Sequence, residues 1–235
     1  MSTSRPVTGL SAIALAILFN APFSILAATY DYPDILRRPA GEALEAFTAG
    51  GSALILTWHA FALCALALAP LAIAVSITPR RITEAPALAI GAAILGALSG
   101  LAQAIGLWRW VFVVPVLART HADPQASGDA QIAAERAFAE LNQYGGVAIG
   151  EHLGQWLLAL FVLCVALLQW REKRRISGAL GFVTSIVLLV GTTEGLAIAL
   201  GQPGEIFAMA TIGGFLGLTI WLIATGVGLI RGEPV

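Results

Sequence analysis

Long apolar stretches alternate with short polar segments along the whole chain. Each apolar stretch is at least as long as the ~18 to 20 residues with which a helix crosses a bilayer. The six stretches cover about residues 8–30, 50–77, 86–118, 146–169, 177–200 and 206–230. Because they lack the two-residue alternation of a membrane β-barrel, the pattern predicts six transmembrane helices. The predicted fold class is an all-α integral membrane protein in which residues 1–235 form one domain.

Composition supports this class and excludes a soluble domain. Hydrophobic residues make up 58% of the chain, charged residues only 11%, and the mean hydropathy is +0.84.

The first stretch has a second interpretation, a cleaved secretory signal, because Arg5 precedes it and small residues end it. Its length and its internal Asn20 favour a retained helix. The two cysteines, Cys64 and Cys164, lie far apart in apolar stretches and are interpreted as unreactive thiols.

Charges in the connecting segments fall into a basic set and an acidic set. The basic set holds eight cations and three acids: Arg5, Arg80, Arg81, Arg171, Lys173, Arg174, Arg175, Arg231, Glu84, Glu172 and Glu233. The acidic set holds four cations and nine acids: Arg37, Arg38, Arg119, Arg136, Asp31, Asp34, Glu42, Glu45, Asp123, Asp129, Glu135, Glu140 and Glu205. Since short loops rich in Lys and Arg remain in the cytoplasm, both termini are predicted to be cytoplasmic, in a bacterial inner membrane. The lipid bilayer is the expected partner, and nothing in this layout indicates nucleic acid.

Two segments on the acidic side have the periodicity of short amphipathic helices. They are Asp34–Phe47 and Asp129–Leu141. In the second, Ile132 and Phe138 belong to the apolar face, while Arg136 faces water. We expect both segments to lie on the outer surface of the membrane, where they could also cover a pocket.

Five ionisable side chains lie inside apolar stretches or at their ends. They are His59, Arg109, Glu151, His152 and Glu194. An ionisable group at membrane depth is costly unless it is paired, and such groups mark candidate functional sites. Counting along each helix at ~1.5 Å per residue puts all five in the outer half of the membrane. Gln155, about one helical turn after Glu151, and Trp108, next to Arg109, complete the predicted ligand-binding set.

Three kinds of function fit these residues. The first is binding or transport of a small polar or amphiphilic ligand from outside. The cytoplasmic halves of the predicted helices are almost purely apolar, which favours a site that opens to one side only. The second is a membrane enzyme that applies acid–base chemistry to a lipid-soluble substrate. The third is a structural or regulatory protein whose charges neutralise one another, with Arg109 paired to Glu151 or Glu194.

No cofactor can be assigned from the residues. Two histidines and two carboxylates could hold a metal ion, and His59 and His152 could ligate a haem from two helices. Their spacing matches no known metal signature, so no metal ligand is predicted. The 25 glycines would allow close helix packing and homo-oligomers, but no feature selects an oligomeric state.

Four separated segments resemble one family of bacterial membrane proteins. The segments are Tyr32–Pro39, Arg109–Pro115, Gly150–Gly154 and Trp221–Arg231. In this order they resemble the proteins catalogued as domain of unknown function 4386, and the resemblance extends over nearly the whole chain. It implies the six-helix membrane fold, and it brings no activity, cofactor or catalytic residue.

The charge pattern makes a testable prediction of topology. In a variant lacking Cys64 and Cys164, a cysteine introduced as Ser127→Cys is expected to react with a membrane-impermeant maleimide in intact cells. Lys173→Cys is expected to react only after the membrane has been opened, because Lys173 belongs to the basic set. The opposite labelling pattern would reverse the predicted orientation.

Overall fold

The computed structural model describes residues 4–232, apart from the side chains at positions 205 and 206. Glu233 of the basic set therefore lies outside the described residues, and so does the side chain of Glu205 of the acidic set. Across residues 4–232 the regular secondary structure is helical, and this range contains no strand. The predicted all-α class is confirmed.

The helices follow one another with short connections. In chain order they are α1 (Pro6–Tyr30), a 3₁₀-helix (Asp34–Arg37), α2 (Ala40–Ser76), α3 (Pro79–Glu84), α4 (Pro86–Phe112), α5 (Val114–Ala122), α6 (Gly128–Leu141), a π-helix (Asn142–Leu153), α7 (Gly154–Arg171), α8 (Arg175–Ala199) and α9 (Glu205–Arg231). Among the described residues, six stretches of helix are long and apolar enough to cross a membrane: α1, α2, α4 with α5, α6 through α7, α8 and α9. The protein is a polytopic membrane protein in contact with the bilayer, as the hydrophobic pattern predicts. Its orientation remains a prediction.

The outer segments differ in shape from the sequence prediction. Instead of one helix over Asp34–Phe47, residues Asp34–Arg37 form the 3₁₀-helix, and α2 begins separately at Ala40. The break falls at Arg38, which is extended because Pro39 follows it. Downstream, α6 continues without a loop through the π-helix into α7. The position of these segments on the membrane surface remains a prediction.

The six spanning helices form a closed ring in chain order. Helix α1 packs against α2, α2 against α4, α4 against α7, α7 against α8, α8 against α9, and α9 returns to α1. We call the end of the ring that carries the basic set the basic face, and the opposite end the acidic face. Every spanning helix has its sequence neighbours beside it, and all six surround one interior. Polar residues from distant segments can therefore meet in the middle of the ring.

Two groups of buried side chains fill the ring. Nearer the basic face, the core includes Leu15, Leu68, Leu158, Phe161 and Trp221. Nearer the acidic face, it is rich in aromatic residues and includes Tyr30, Phe47, Trp58, Trp110 and Phe138. The outside of the ring is also apolar, with exposed Val7, Ile17, Ile94, Ile186 and Ile220. An apolar exterior of this kind is what contact with lipid requires.

The ring is closed by a close contact between α1 and α9. A Cβ atom added to Gly226 would lie 2.6 Å from the carbonyl oxygen of Gly9, and one added to Gly9 would lie 2.5 Å from that of Gly226. Small residues permit this approach of two backbones, which in lipid is a main source of helix association. A hydrogen bond of 2.9 Å from Asn20 Nδ2 to Thr219 Oγ1 joins the same two helices.

We expect Gly226→Ala to lower the thermal unfolding midpoint of the purified protein. The added methyl group must push α1 away, at a cost of about 1–3 kcal/mol. Gly91→Ala in α4 is the matched control, because a Cβ there meets nothing within 4 Å and alanine is the better helix former. Equal unfolding midpoints for the two variants would show that the close contact between α1 and α9 does not stabilise the protein.

Candidate functional site

A cavity of about 180 Å³ lies inside the ring towards the acidic face. All six spanning helices contribute to its wall, together with the 3₁₀-helix and the π-helix. One part of the wall is aromatic and comprises Phe19, Phe23, Trp58, Phe61, Trp110 and Phe215. Another part is charged or polar and comprises Asp34, Arg37, Arg109, Glu151, Gln155 and Glu194. The cavity therefore offers apolar and ionic surfaces side by side.

An ion-pair bridge crosses the polar part of the cavity. Arg37 Nη2 lies 2.7 Å from Glu151 Oε2 and 2.9 Å from Glu194 Oε1. The three side chains are 34%, 24% and 15% exposed, so the bridge is partly shielded from solvent. Burial lowers the pKa of the Arg37 guanidinium, but the charges and hydrogen bonds of the two glutamates outweigh it and raise this pKa overall. One cation thus joins the 3₁₀-helix, the π-helix and α8.

Arg109 lies on α4, and its contacts differ from the predicted ion pair with Glu151 or Glu194. Its Nη1 donates to the carbonyl oxygen of Gly106, and its Nη2 donates to Asn142 Oδ1 at 2.9 Å. Asn142 Nδ2 in turn donates to the carbonyl oxygen of Leu36 at 3.0 Å. Both glutamates pair with Arg37 instead. The difference arises because helix counting gives the depth of a side chain but not its direction around the ring.

Glycines make room for this arrangement between α4 and the π-helix. A Cβ on Gly106 would lie 2.6 Å from the Cα of Gly150, so these two backbones touch. A Cβ on Gly146 would lie 2.5 Å from Arg109 Nη2, so the guanidinium rests on a bare backbone. The π-helix spans twelve residues here, and π-helical segments are often found at functional sites.

Two tryptophans form a stacked pair in the aromatic wall. The rings of Trp58 and Trp110 are 4.8 Å apart and tilted by only 8°. Tyr32 meets Trp58 edge-on at 5.3 Å, and burial raises the pKa of the Tyr32 phenol, which therefore stays neutral. The guanidinium of Arg109 lies 5.2 Å from the centre of the Trp110 ring, within cation–π distance.

Four of the seven predicted site residues line this cavity. They are Arg109, Glu151, Gln155 and Glu194. The structure does not bring His59, His152 or Trp108 to the wall. His152 Nδ1 instead donates to the carbonyl oxygen of Thr192 on α8 at 2.9 Å, and this bond ties the π-helix to α8. Among residues 4–232, no group of three or more His, Cys, Asp or Glu side chains is arranged to hold a metal ion.

The residue that sequence reasoning missed is Arg37. The charge pattern places Arg37 in the acidic set, whereas the predicted site residues lie inside the apolar stretches or at their ends. Its segment, Tyr32–Pro39, was nevertheless among those that resemble the membrane family. Asp34 and Tyr32, from the same segment, also line the cavity.

Comparison with known proteins agrees with this resemblance. The family model described as Domain of unknown function (DUF4386) matches residues 7–226. The chain belongs to this family. No curated protein and no solved structure matches this chain. The geometry of the cavity is therefore the basis on which the function of this DUF4386 member can be inferred.

We expect Arg37→Gln to lower the free energy of unfolding by about 1–3 kcal/mol, because two partly buried carboxylates lose their cation. Arg38→Gln is the matched control, since Arg38 pairs with Asp31, which is 51% exposed, and exposed pairs contribute only ~0–1 kcal/mol. Chemical denaturation of the purified variants measures both changes. Equal losses of unfolding free energy in the two variants would show that the Arg37 bridge contributes no more to stability than an ordinary surface ion pair.

Proposed function

We propose that the protein binds a small amphiphilic ligand with a cationic head, which enters the cavity from the extracytoplasmic side of a bacterial inner membrane. One observation carries the proposal: a single cavity joins an aromatic wall to a cluster of charged side chains. Binding sites for small molecules share this combination of apolar lining and a few polar groups. The whole chain would act as one polytopic domain around this site.

The volume of the cavity limits the size of the ligand. At about 180 Å³ it is slightly larger than the ~150 Å³ engineered cavity that holds benzene. It is smaller than the ~300–1,000 Å³ of drug-sized sites. The enclosed part of the ligand is therefore about the size of one ring, or it is one end of a longer molecule.

The charges favour a cation over an anion. Three acids line the cavity, Asp34, Glu151 and Glu194, against the two cations Arg37 and Arg109. A protonated amine could take the place of the Arg37 guanidinium between the two glutamates, since both are hydrogen-bond donors with one positive charge. The aromatic rings in the wall of the cavity would add cation–π attraction.

The surroundings of the cavity support binding from one side. Towards the basic face a smaller void of about 20 Å³ follows it, and the wall of this void is mostly apolar and includes Leu15, Leu68, Leu158 and Leu222. The packed inner core lies next to this void, with Leu15, Leu68 and Leu158 common to both. A polar solute would have to cross this mostly apolar wall and then the packed core, where the buried side chains of Gln169 and Thr225 are already hydrogen-bonded to each other. We therefore favour ligand binding over transport across the membrane.

A structural role is the second candidate, and the Arg37 bridge is the observation that favours it. Glu151 and Glu194 already have a cation from the protein itself, so the three charges could serve only to hold three segments together. The two candidates differ in whether the cavity has an occupant. A binding experiment separates them.

We expect benzylamine to bind saturably to the protein in lipid nanodiscs and to change its tryptophan fluorescence, because Trp58 and Trp110 form part of the wall. Benzoate, of similar size and opposite charge, is expected to bind more weakly. Ala208→Phe should abolish binding by filling the cavity, since Ala208 lines it. Met209→Phe is the matched control, because Met209 is 68% exposed on the outside.

A response that does not saturate, and that is the same in the wild type and Ala208→Phe, would indicate partition into lipid. It would overturn the binding proposal and leave the structural role. Tighter binding of benzoate, lost in Ala208→Phe, would keep the site and reverse its charge preference. The neutral probe benzyl alcohol separates the contribution of the aromatic wall from that of the charges.

A further inference from the structure

A second cluster of charges lies at the basic face, at the opposite end of the ring from the cavity. It gathers the start of α1, the end of α2, the short helix α3 and the connection between α7 and α8. Its members are Arg5, Arg81, Arg174 and Glu172. We propose that this cluster binds a phosphate-type anion, either the headgroup of an anionic lipid or free phosphate.

The cluster is continuous through its contacts. Arg5 Nη2 donates to the carbonyl oxygen of Ala74 at 2.8 Å, and Arg81 Nη1 donates to that of the next residue, Val75, at 2.7 Å. Arg81 also donates two hydrogen bonds to Glu172, from Nε to Oε1 at 2.5 Å and from Nη2 to Oε2 at 2.7 Å. Arg174 Nε lies 3.8 Å from the same Glu172 Oε2. Three guanidinium groups therefore surround one carboxylate and the end of α2.

Among the side chains that the structure describes, the positive charges of this cluster exceed the negative charge that balances them. Three guanidinium groups face one carboxylate, and the last carbonyl groups of α2 add only about half a negative charge. Burial, together with the positive charges of Arg81 and Arg174, lowers the pKa of Arg5. An anion would remove this repulsion.

Unused hydrogen-bond donors lie within the cluster. Arg5 Nη1 and Arg174 Nε are buried and have no hydrogen-bond partner. The hydroxyl of Ser76, next to Val75, is also buried without a partner. Buried polar groups normally find partners, and the Arg5 and Ser76 donors both lie at the end of α2, where an added acceptor could serve them.

A phosphate group meets these requirements. Its oxygens accept several charge-assisted hydrogen bonds at once, and guanidinium groups match their geometry. Basic pockets between helices at the cytoplasmic face are known binding sites for anionic lipid headgroups. The exposed neighbours Lys173 and Arg175 would attract such an anion without belonging to the site.

Calorimetric titration of the full-length protein in phosphatidylcholine nanodiscs tests the proposal. The probes are dihexanoyl phosphatidylglycerol, inorganic phosphate and, as the uncharged-headgroup control, dihexanoyl phosphatidylcholine. We expect saturable binding of at least one anionic probe, weakened about tenfold by Arg174→Gln through loss of one charge-assisted contact. Arg171→Gln is the matched control, because it removes the same charge from an exposed position three residues away.

The anionic probe that binds identifies the source of the phosphate, lipid or solution. Arg5→Gln is a second variant from another helix, so the test does not depend on whether Arg174→Gln folds. Equal weakening by Arg171→Gln and by the two cluster variants would indicate only a diffuse basic surface and overturn the site. Absence of saturable binding by both anionic probes would overturn it as well, and would leave the arginines as caps of α2.

Discussion

The need to give every charged group inside a low-dielectric ring an opposite charge or hydrogen-bond partners organises this protein. Hydrocarbon offers no water to solvate a carboxylate, so Glu151 and Glu194 must find a cation from the protein itself. Arg37 meets this need from a segment that the sequence places outside the apolar stretches. Because that segment is drawn towards the ring, its neighbours Tyr32 and Asp34 reach the cavity too. The position of the outer chain thus follows from two buried acids.

The two ends of the ring solve the same problem in different ways. At the acidic face, one guanidinium serves two carboxylates beside an open cavity. At the basic face, Glu172 has Arg81 in a bidentate pair and Arg174 nearby, with Arg5 beyond them. Between these ends lies a packed apolar core that includes Phe161 and Trp221. The two charge clusters are therefore separated by this core and share one scaffold.

The sequence predicted the fold better than the site, for a physical reason. Apolar length alone specifies a membrane span, so the six helices could be recognised without any knowledge of their neighbours. A site needs direction as well as depth. Trp108 and Trp110 are two residues apart and so point to different sides of α4, and only Trp110 lines the cavity. Arg37 could not be found by counting along helices, because it reaches the acids from a separate 3₁₀-helix.

The sharing of a single nitrogen by two acids has a mechanical consequence. Both carboxylates contact Nη2 of Arg37, so neither can be released by that nitrogen without the other being affected. Once the cation leaves, two like charges on adjacent helical segments face one another across a medium that screens them poorly. The outer chain, the π-helix and α8 are thereby coupled, because loss of the cation leaves the repulsion between the two carboxylates without compensation.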